Sequence, residues 1–208
     1  PPGIADLARA RAVPATRQAS RRDAAHRLGI DPELRTLLVT GGSLGAQHLN
    51  EVMSQIAGDL PRGAQVVHLT GRGKDAPVRE AVARAGVGAR WVVVDYLTTM
   101  EDALAVADLV VCRSGAGTVA ELTALGLPAF YVPLPIGNGE QKLNAHDHVA
   151  TGGAQLVADH AFTAEVARSR VWPLLVSDEL ASMARATSAQ GRVDAAQVLA
   201  GLVMDQVR

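Results

Sequence analysis

Short, continuously apolar runs alternate with amphipathic segments along most of the chain. Six such runs, rich in β-branched residues, occupy positions 36–40, 65–69, 91–94, 109–112, 129–132 and 155–157. The segments between them carry apolar residues at helical spacing, at 46–58, 75–85, 99–107, 117–125 and 141–151. Strands that are apolar throughout are typical of a parallel sheet covered on both faces. The pattern therefore predicts an α/β fold, a Rossmann-like parallel sheet with helices on both faces.

Both ends of the chain are predicted to be helical. Residues 1–34 form a Pro- and Arg-rich lead-in followed by a helix, with Ser20 as a candidate N-cap and Gly29 as a candidate stop. At the other end, helical periodicity covers 163–176, 178–189 and 192–206. We therefore divide the chain into a basic lead-in, linker and helix, 1–34, and a ligand-binding domain with terminal helices, 35–208.

The composition is that of a globular protein and excludes electrostatic capture of nucleic acid. Of the 208 residues, 48% are hydrophobic and 20% charged, and the net charge is −1. Aromatic residues make up only 3%, which argues against a stacking surface for single-stranded nucleic acid. Residues 1–35 nevertheless hold seven arginines against four acids. This basic segment is either a solvated helix face or a patch that lies near a membrane surface.

The cysteine and histidine pattern does not predict a metal site. The single cysteine, Cys112, ends an apolar run, so we expect a buried structural thiol and no disulfide. His146 and His148 stand two residues apart, which places them on different faces of a helix. No apolar run approaches the length of a membrane-spanning helix. We expect neither a metal nor another cofactor.

Glycine-rich loops follow two of the predicted strands, at the edge where doubly wound sheets bind ligands. The first covers Thr40–Ala46 and the second Cys112–Glu121. Each leads into a helix, whose first N–H groups can bind a phosphate. The first loop is equally compatible with a tight turn, since it has neither the dinucleotide fingerprint nor a Walker lysine. The loop at 70–74 is either another edge loop near a ligand or a flexible surface turn, and we favour the turn.

In the second loop, several side chains favour a nucleotide ligand. Arg113 would add positive charge beside the phosphates, and Ser114 or Thr118 is a candidate N-cap. Glu121 follows Thr118 by the capping-box interval, so its carboxylate is either a helix cap or an acceptor for ribose hydroxyls. The spacing leaves both interpretations open.

A third loop, rich in Pro and Gly, precedes a helix that is predicted to start near Glu140. Glu140 and Asn144 are four residues apart and share a helix face, next to Gln141. These polar side chains are either ordinary solvated residues of a helix start or ligands for sugar hydroxyls.

Together the three loops resemble the C-terminal, donor-binding domain of the MurG family of bacterial N-acetylglucosaminyltransferases. The likeness covers about residues 35–205 and is carried by Gly41-Gly42-Ser43 through Asn50, by Asp108 to Glu121 with Gly126-Leu127-Pro128, and by Val132-Pro133 through Ala145. It implies the C-terminal half of a two-domain glycosyltransferase of the GT-B type. The chain departs from the family pattern at Leu44 and Glu140, where many members have Gln, and at Gly117, which replaces a bulkier residue.

The resemblance implies a role for each residue of the predicted substrate site. Ser43 would contact the donor diphosphate, as would the helix-start N–H groups. Leu97 would offer main-chain groups to the uracil, and Glu121 would hold the ribose. Those N–H groups belong to Ala116, Gly117 and Thr118, whereas Glu140, Gln141 and Asn144 would bind the N-acetylglucosamine. The full predicted set is Ser43, Leu97, Arg113, Ser114, Ala116, Gly117, Thr118, Glu121, Glu140, Gln141 and Asn144.

The implied reaction is transfer of N-acetylglucosamine from UDP-N-acetylglucosamine to undecaprenyl-pyrophosphoryl-muramoyl-pentapeptide, lipid I, which yields lipid II for peptidoglycan. It is inverting and metal-independent, and it takes place at the cytoplasmic surface of the bacterial membrane. The family's catalytic base lies in an N-terminal domain that this sequence, which begins Pro1-Pro2, does not contain. We therefore expect the chain to bind donor and to be inactive alone. The alternatives are half of a GT-B enzyme with another acceptor, and a donor-binding module that needs a partner chain.

Overall fold

The fold centres on a six-stranded sheet, seen in a computed structural model that describes residues 2–42, 45–136 and 138–190. The strands are β1 (Arg35–Thr40), β2 (Ala64–Leu69), β3 (Trp91–Val94), β4 (Leu109–Cys112), β5 (Ala129–Tyr131) and β6 (Ala154–Leu156). All neighbouring pairs are parallel, in the order β3-β2-β1-β4-β5-β6. The predicted α/β fold is confirmed, and each strand begins and ends within one residue of its predicted position.

Helices fill the connections between the strands. They are α1 (Pro2–Ala12), α2 (Pro14–Leu28), α3 (Gln47–Gln55), α4 (Asp75–Arg84), α5 (Met100–Val106), α6 (Ala116–Ala124), α7 (Glu140–Asn144), α8 (His146–Ala150), α9 (Ala164–Val166), α10 (Trp172–Val176) and α11 (Glu179–Gln190). A π-helical segment, Ala167–Val171, joins α9 to α10. The single helix predicted at 141–151 is two short helices, and the one predicted at 192–206 lies outside the described residues. No helix in the described part of the chain has the length and apolarity that crossing a membrane requires.

The lead-in is more helical than the sequence predicted. Ser20 is not an N-cap, because α2 already begins at Pro14, whose fixed φ suits the first helical position. The predicted stop at Gly29 is confirmed, since this glycine has φ 69° and donates its N–H to the carbonyls of the last helical turn. Both lead-in helices therefore belong to the ordered part of the structure.

Arginines of α2 join this helix to the sheet domain. Arg21 donates to the carboxylate of Asp108 at 2.9 Å, and Arg27 donates to Asp102 on α5 at 2.6 Å. Arg21 also donates to the backbone carbonyls of Pro32, Leu34 and Val106. Part of the positive charge of the lead-in is thus used within the fold.

Two hydrophobic cores lie on opposite faces of the sheet, because successive side chains of a strand point to opposite sides. Leu37 and Val39 of β1 pack with α3, α4, α10 and α11. Leu38 packs on the other face with α1, α2, α5 and α6. Burial on both faces explains the continuous apolar character of the strands.

The strand order places a crevice between β1 and β4. The chain leaves β1 toward β2 on one side, and β4 continues toward β5 on the other, so the connections diverge at this point. Loops after the carboxyl ends of these two strands flank the crevice, which is where ligands bind in open α/β sheets.

Candidate site at the carboxyl edge of the sheet

A cavity of about 200 Å³ lies at this divergence point. Gly41 and Gly42 line it from the loop after β1, and Arg113, Gly115 and Thr118 line it from the loop after β4 and the start of α6. Glu121 and Gln141 complete its polar side, while Leu38, Met100, Leu104, Val110 and Leu122 form an apolar floor. Larger cavities, of about 510 Å³ between α3 and α4 and about 540 Å³ beside α2, lie away from the glycine-rich loops. The topology of the sheet therefore favours the smaller cavity as the ligand site.

Among the residues that the structure describes, no side chain caps the N-terminus of α6. Its N-cap is Gly115, with extended backbone and no side-chain hydrogen bond to the first turn. The prediction that Ser114 or Thr118 caps this helix is therefore wrong, because the helix begins at Ala116, between the two. Ala116 and Gly117 are exposed at the first turn. Uncapped first-turn N–H groups carry partial positive charge and can bind an anion.

Ser114 is held by α7 instead. Its hydroxyl donates to the carbonyl of Gln141 at 2.8 Å, and its N–H donates to the side-chain oxygen of Gln141 at 3.2 Å. Asn144 donates its amide to the carbonyl of Ser114 at 3.2 Å. The same oxygen of Gln141 also accepts from the N–H of Leu134 at 2.9 Å. Gln141 and Asn144 thus join the loops that follow β4 and β5.

In the side-chain amides of Gln141 and Asn144, these hydrogen bonds leave one polar atom without a partner among the described residues. Because two N–H groups point at Oε1 of Gln141, its Nε2 group remains as a donor without a partner among the described residues, and Gln141 lines the cavity. Asn144 uses Nδ2, so its Oδ1 remains as an acceptor. Glu140, which is exposed, accepts from the N–H of Asn138 at 2.9 Å through one carboxylate oxygen. The predicted helix start near Glu140 is confirmed.

Arg113 differs from its predicted role as a free positive charge. Its guanidinium donates to the carbonyls of Val132 and Pro133 at 2.9 and 3.1 Å and forms a close ion pair with Asp159. Arg113 lines the cavity, but the charge of its side chain is neutralised by this carboxylate. The ion pair joins the loop after β4 to the 3₁₀ turn Asp159–Ala161.

Glu121 lies on the first turns of α6 and lines the cavity. Its side chain is half-buried and has no hydrogen-bond partner in the described part of the chain, so the capping box is not formed. Burial raises the pKa of Glu121 above its usual value. A partly desolvated carboxylate without a donor is stabilised by a ligand that brings hydroxyl groups.

Leu97 and Ser43 are the remaining residues of the predicted site. Leu97 follows β3 and packs against the core cluster that contains Leu38, without lining the cavity. Ser43 and Leu44 lie outside the described residues, between Gly42 and Gly45. Met100 and Leu104 line the floor of the cavity and were missed, since apolar residues on a helix look like core in a sequence.

Of the cysteine and histidines considered for a metal site, Cys112 and His148 are buried and His146 is exposed. Cys112 is a buried free thiol whose pKa is raised by burial, as the sequence predicted. His148 is buried between Tyr131 and Thr187, whereas His146 is exposed beside Asp147. No cluster of three His, Cys, Asp or Glu side chains suited to a metal ion occurs within residues 2–42, 45–136 and 138–190.

The fold and the cavity together define a Rossmann-like α/β class of domain, with an uncapped helix N-terminus where the strand connections diverge. Residues 36–199 match the model of the glycosyltransferase family 28 C-terminal domain. The chain belongs to this family.

Curated relatives and a solved structure resemble nearly the whole chain. The UDP-N-acetylglucosamine--N-acetylmuramyl-(pentapeptide) pyrophosphoryl-undecaprenol N-acetylglucosamine transferase of Bifidobacterium longum is 45% identical over 98% of this chain and 55% of its own length. The protein of the same name from Streptomyces coelicolor is 46% identical over 92% of this chain and 52% of its own. The crystal structure of Acinetobacter baumannii MurG superposes with a TM-score of 0.76 at 28% identity, covering 89% of this chain and 53% of that one. The chain spans about half the length of these relatives.

Proposed function

We propose that this chain is the donor-binding half of an N-acetylglucosaminyltransferase that makes lipid II from lipid I and UDP-N-acetylglucosamine. Two kinds of observation support the proposal. The relatives named for this transfer match 98% and 92% of the chain at 45% and 46% identity. The cavity between the loops after β1 and β4 combines an uncapped helix N-terminus with a carboxylate that has no hydrogen-bond partner among the described residues.

The observation that carries the proposal is the position of Glu121. Its carboxylate lines the same cavity as Gly115 and Thr118 at the start of α6, two turns or less away along the helix. A nucleoside diphosphate offers phosphate oxygens to the helix N-terminus and ribose hydroxyls to the carboxylate at this separation. The apolar floor around Met100 and Leu104 suits the rest of the nucleoside, and main-chain groups of Leu97 would bind the uracil.

In the proposed complex, the sugar lies toward α7. The free amide donor of Gln141 and the free oxygen of Asn144 would bind hydroxyl and acetamido groups, with Glu140 at the outer margin. Arg113 and Ser114 would support this arrangement through their contacts with the neighbouring loops. Ser43 would complete the diphosphate site from the loop after β1.

This half of the enzyme would stabilise the leaving group. As the bond to the sugar breaks, negative charge grows on the UDP diphosphate, which the first-turn N–H groups of α6 would stabilise without a metal ion. The base that activates the acceptor hydroxyl would lie in the N-terminal domain, with domain closure bringing both substrates together. The lipid-linked acceptor would place the enzyme at the cytoplasmic face of the membrane.

The test is a calorimetric titration of the 208-residue chain with UDP and with UDP-N-acetylglucosamine. We expect Glu121→Ala to weaken UDP binding by about 1–3 kcal/mol, because hydrogen bonds from the ribose hydroxyls are lost. The control, Glu80→Ala, removes an exposed carboxylate on α4 and should bind as the unsubstituted chain does.

Two results would contradict the proposal. Unchanged UDP affinity in Glu121→Ala would remove the ribose site. Equal affinity of the unsubstituted chain for UDP-glucose and UDP-N-acetylglucosamine would remove the sugar assignment to Glu140, Gln141 and Asn144.

A further inference from the structure

A buried polar chain of three residues lies behind the glycine-rich loop that follows β1. His68, the last residue but one of β2, contacts the side-chain oxygen of Asn50 on α3 through Nε2 at 3.0 Å. The amide of Asn50 donates to the backbone carbonyl of Thr70 at 3.0 Å. All three residues are buried. Because Asn50 uses its nitrogen toward Thr70, its oxygen accepts, and His68 must carry its proton on Nε2.

Burying the imidazole ring of His68 at this position costs free energy. Every position of β2 is buried, and the neighbouring strand positions are filled by Val66, Val67 and Leu69. Burial lowers the pKa of His68 to about 3, so its ring is neutral. Its Nδ1 has no hydrogen-bond partner in the described part of the chain. An apolar residue would avoid this unpaired nitrogen, so the bond through Nε2 needs a reason beyond packing.

The reason is found at the carbonyl of Thr70. This oxygen accepts from Asn50 and also lies directly against Gly45, where an added Cβ atom would overlap it. Gly45 has φ 68°, a conformation suited to glycine. Its N–H donates to the carbonyl of Gly42 at 2.9 Å, and Gly42 lines the candidate donor cavity. The contacts thus run without a gap from His68 to the wall of the site.

We propose that His68 is a positioning residue for the donor: through Asn50 and the Thr70 carbonyl, it holds Gly45 and Gly42 of the loop after β1 in the position that receives the diphosphate. This inference rests on the proposed function, because it assumes that the cavity binds a UDP-sugar. His68 itself does not touch the cavity, so its effect passes entirely through the backbone of the loops after β1 and β2.

The first test substitutes His68 and measures UDP affinity of the full chain by calorimetry, at a temperature where each variant is folded by circular dichroism. In His68→Leu, we expect at least about a tenfold weaker affinity, since a small displacement of a positioning group is costly. His68→Gln, which keeps a side-chain N–H for Asn50, should recover most of this loss. His148→Leu is the control, a buried histidine of another network that should lose stability and keep its UDP affinity.

A second pair of variants avoids the core. Gly45→Ala pushes against the Thr70 carbonyl, whereas Gly86→Ala has nearly the same positive φ, 69°, with open space around the added methyl. We expect Gly45→Ala to weaken UDP binding and Gly86→Ala to leave it unchanged. Gly86→Ala is the control for the strain of placing alanine at a positive φ. This pair tests the contact between Gly45 and the Thr70 carbonyl, so the inference can be refuted even if His68→Leu does not fold.

The outcomes separate this inference from the proposed function. If the unsubstituted chain binds no UDP, both are overturned. If it binds UDP and either folded His68→Leu or Gly45→Ala binds as tightly as its control, the positioning role alone is overturned.

Discussion

At the scale of single residues, the ion pair of Arg113 with Asp159 decides how the loop after β4 is held. The two side chains are only 12% and 17% exposed. Asp159→Ala would leave the Arg113 charge buried without a counter-charge, and we expect a loss of about 3–5 kcal/mol in the free energy of unfolding. The control is Asp59→Ala, in the pair with Arg168 whose side chains are 44% and 50% exposed, with an expected loss below about 1 kcal/mol. Urea unfolding measures both, and similar losses would contradict the structural role of Arg113.

The ion pair of Arg113 could not be predicted from the sequence. Ser114, Glu121, Gln141 and Asn144 were identified from loop position and resemblance, but their contacts were not. An arginine beside a glycine-rich loop suggests a phosphate ligand, yet its partner Asp159 is 46 positions further along the chain. Such pairing depends on which loops the sheet brings together, and no local pattern contains it.

At the scale of elements, a buried histidine joins β5, α8 and α11. His148 contacts the hydroxyls of Tyr131 and Thr187, each at 2.9 Å. Burial lowers the pKa of His148 to about 4 from an ordinary value of 6.5. The unfolded chain therefore binds a proton more readily than the folded one. The stability that the neutral ring contributes is present above pH 6.5 and is lost as the pH falls toward 4.

We expect the free energy of unfolding to fall by on the order of 3 kcal/mol for this group across that pH window. His148→Gln should have a shallower pH dependence, measured by urea unfolding at a series of pH values. Part of the slope should remain, because burial also lowers the pKa of His68, to about 3. The bond to Arg27 lowers the pKa of Asp102. The contribution of Asp102 to the free energy of unfolding is therefore lost only below its ordinary pKa of 3.8. A slope that is the same in His148→Gln would contradict the prediction.

The secondary structure was predicted well where the pattern is regular. The apolar runs of the strands and the stop at Gly29 depend on local chemistry that a sequence displays directly. Ser20 and the caps proposed for α6 failed for one reason: a side chain able to cap does so only if the helix begins just after it. Ser114 instead meets Gln141 of another element, so a tertiary contact overrides the local preference.

At the scale of the whole molecule, we expect the lead-in helices to unfold together with the sheet. Arg21 of α2 bonds to three backbone carbonyls and to Asp108, with its side chain 17% exposed. Lysine cannot reproduce the planar fork of donors, so Arg21→Lys should lower the free energy of unfolding by about 2 kcal/mol.

The matched control is Arg22→Lys, at the next, exposed position of the same helix. Unfolding should be followed by the fluorescence of Trp91 and Trp172, which are buried in the core, and by far-ultraviolet circular dichroism. Coincident transitions are expected for both signals. A separate early loss of helix, or an equal effect of both substitutions, would show that α2 is attached without being part of the cooperative unit.

The sequence alone determined the order of strands and helices along the chain, the burial of the sheet on both faces and the loops that line the cavity. These features follow from hydrophobic periodicity and turn chemistry, which act over a few residues. The tertiary structure decided the order of the strands across the sheet, the pairing of Arg113, the joining of two loops by Gln141 and Asn144, and the contact of His68 with Asn50. Each of these depends on groups far apart in the chain that meet only when the sheet has assembled.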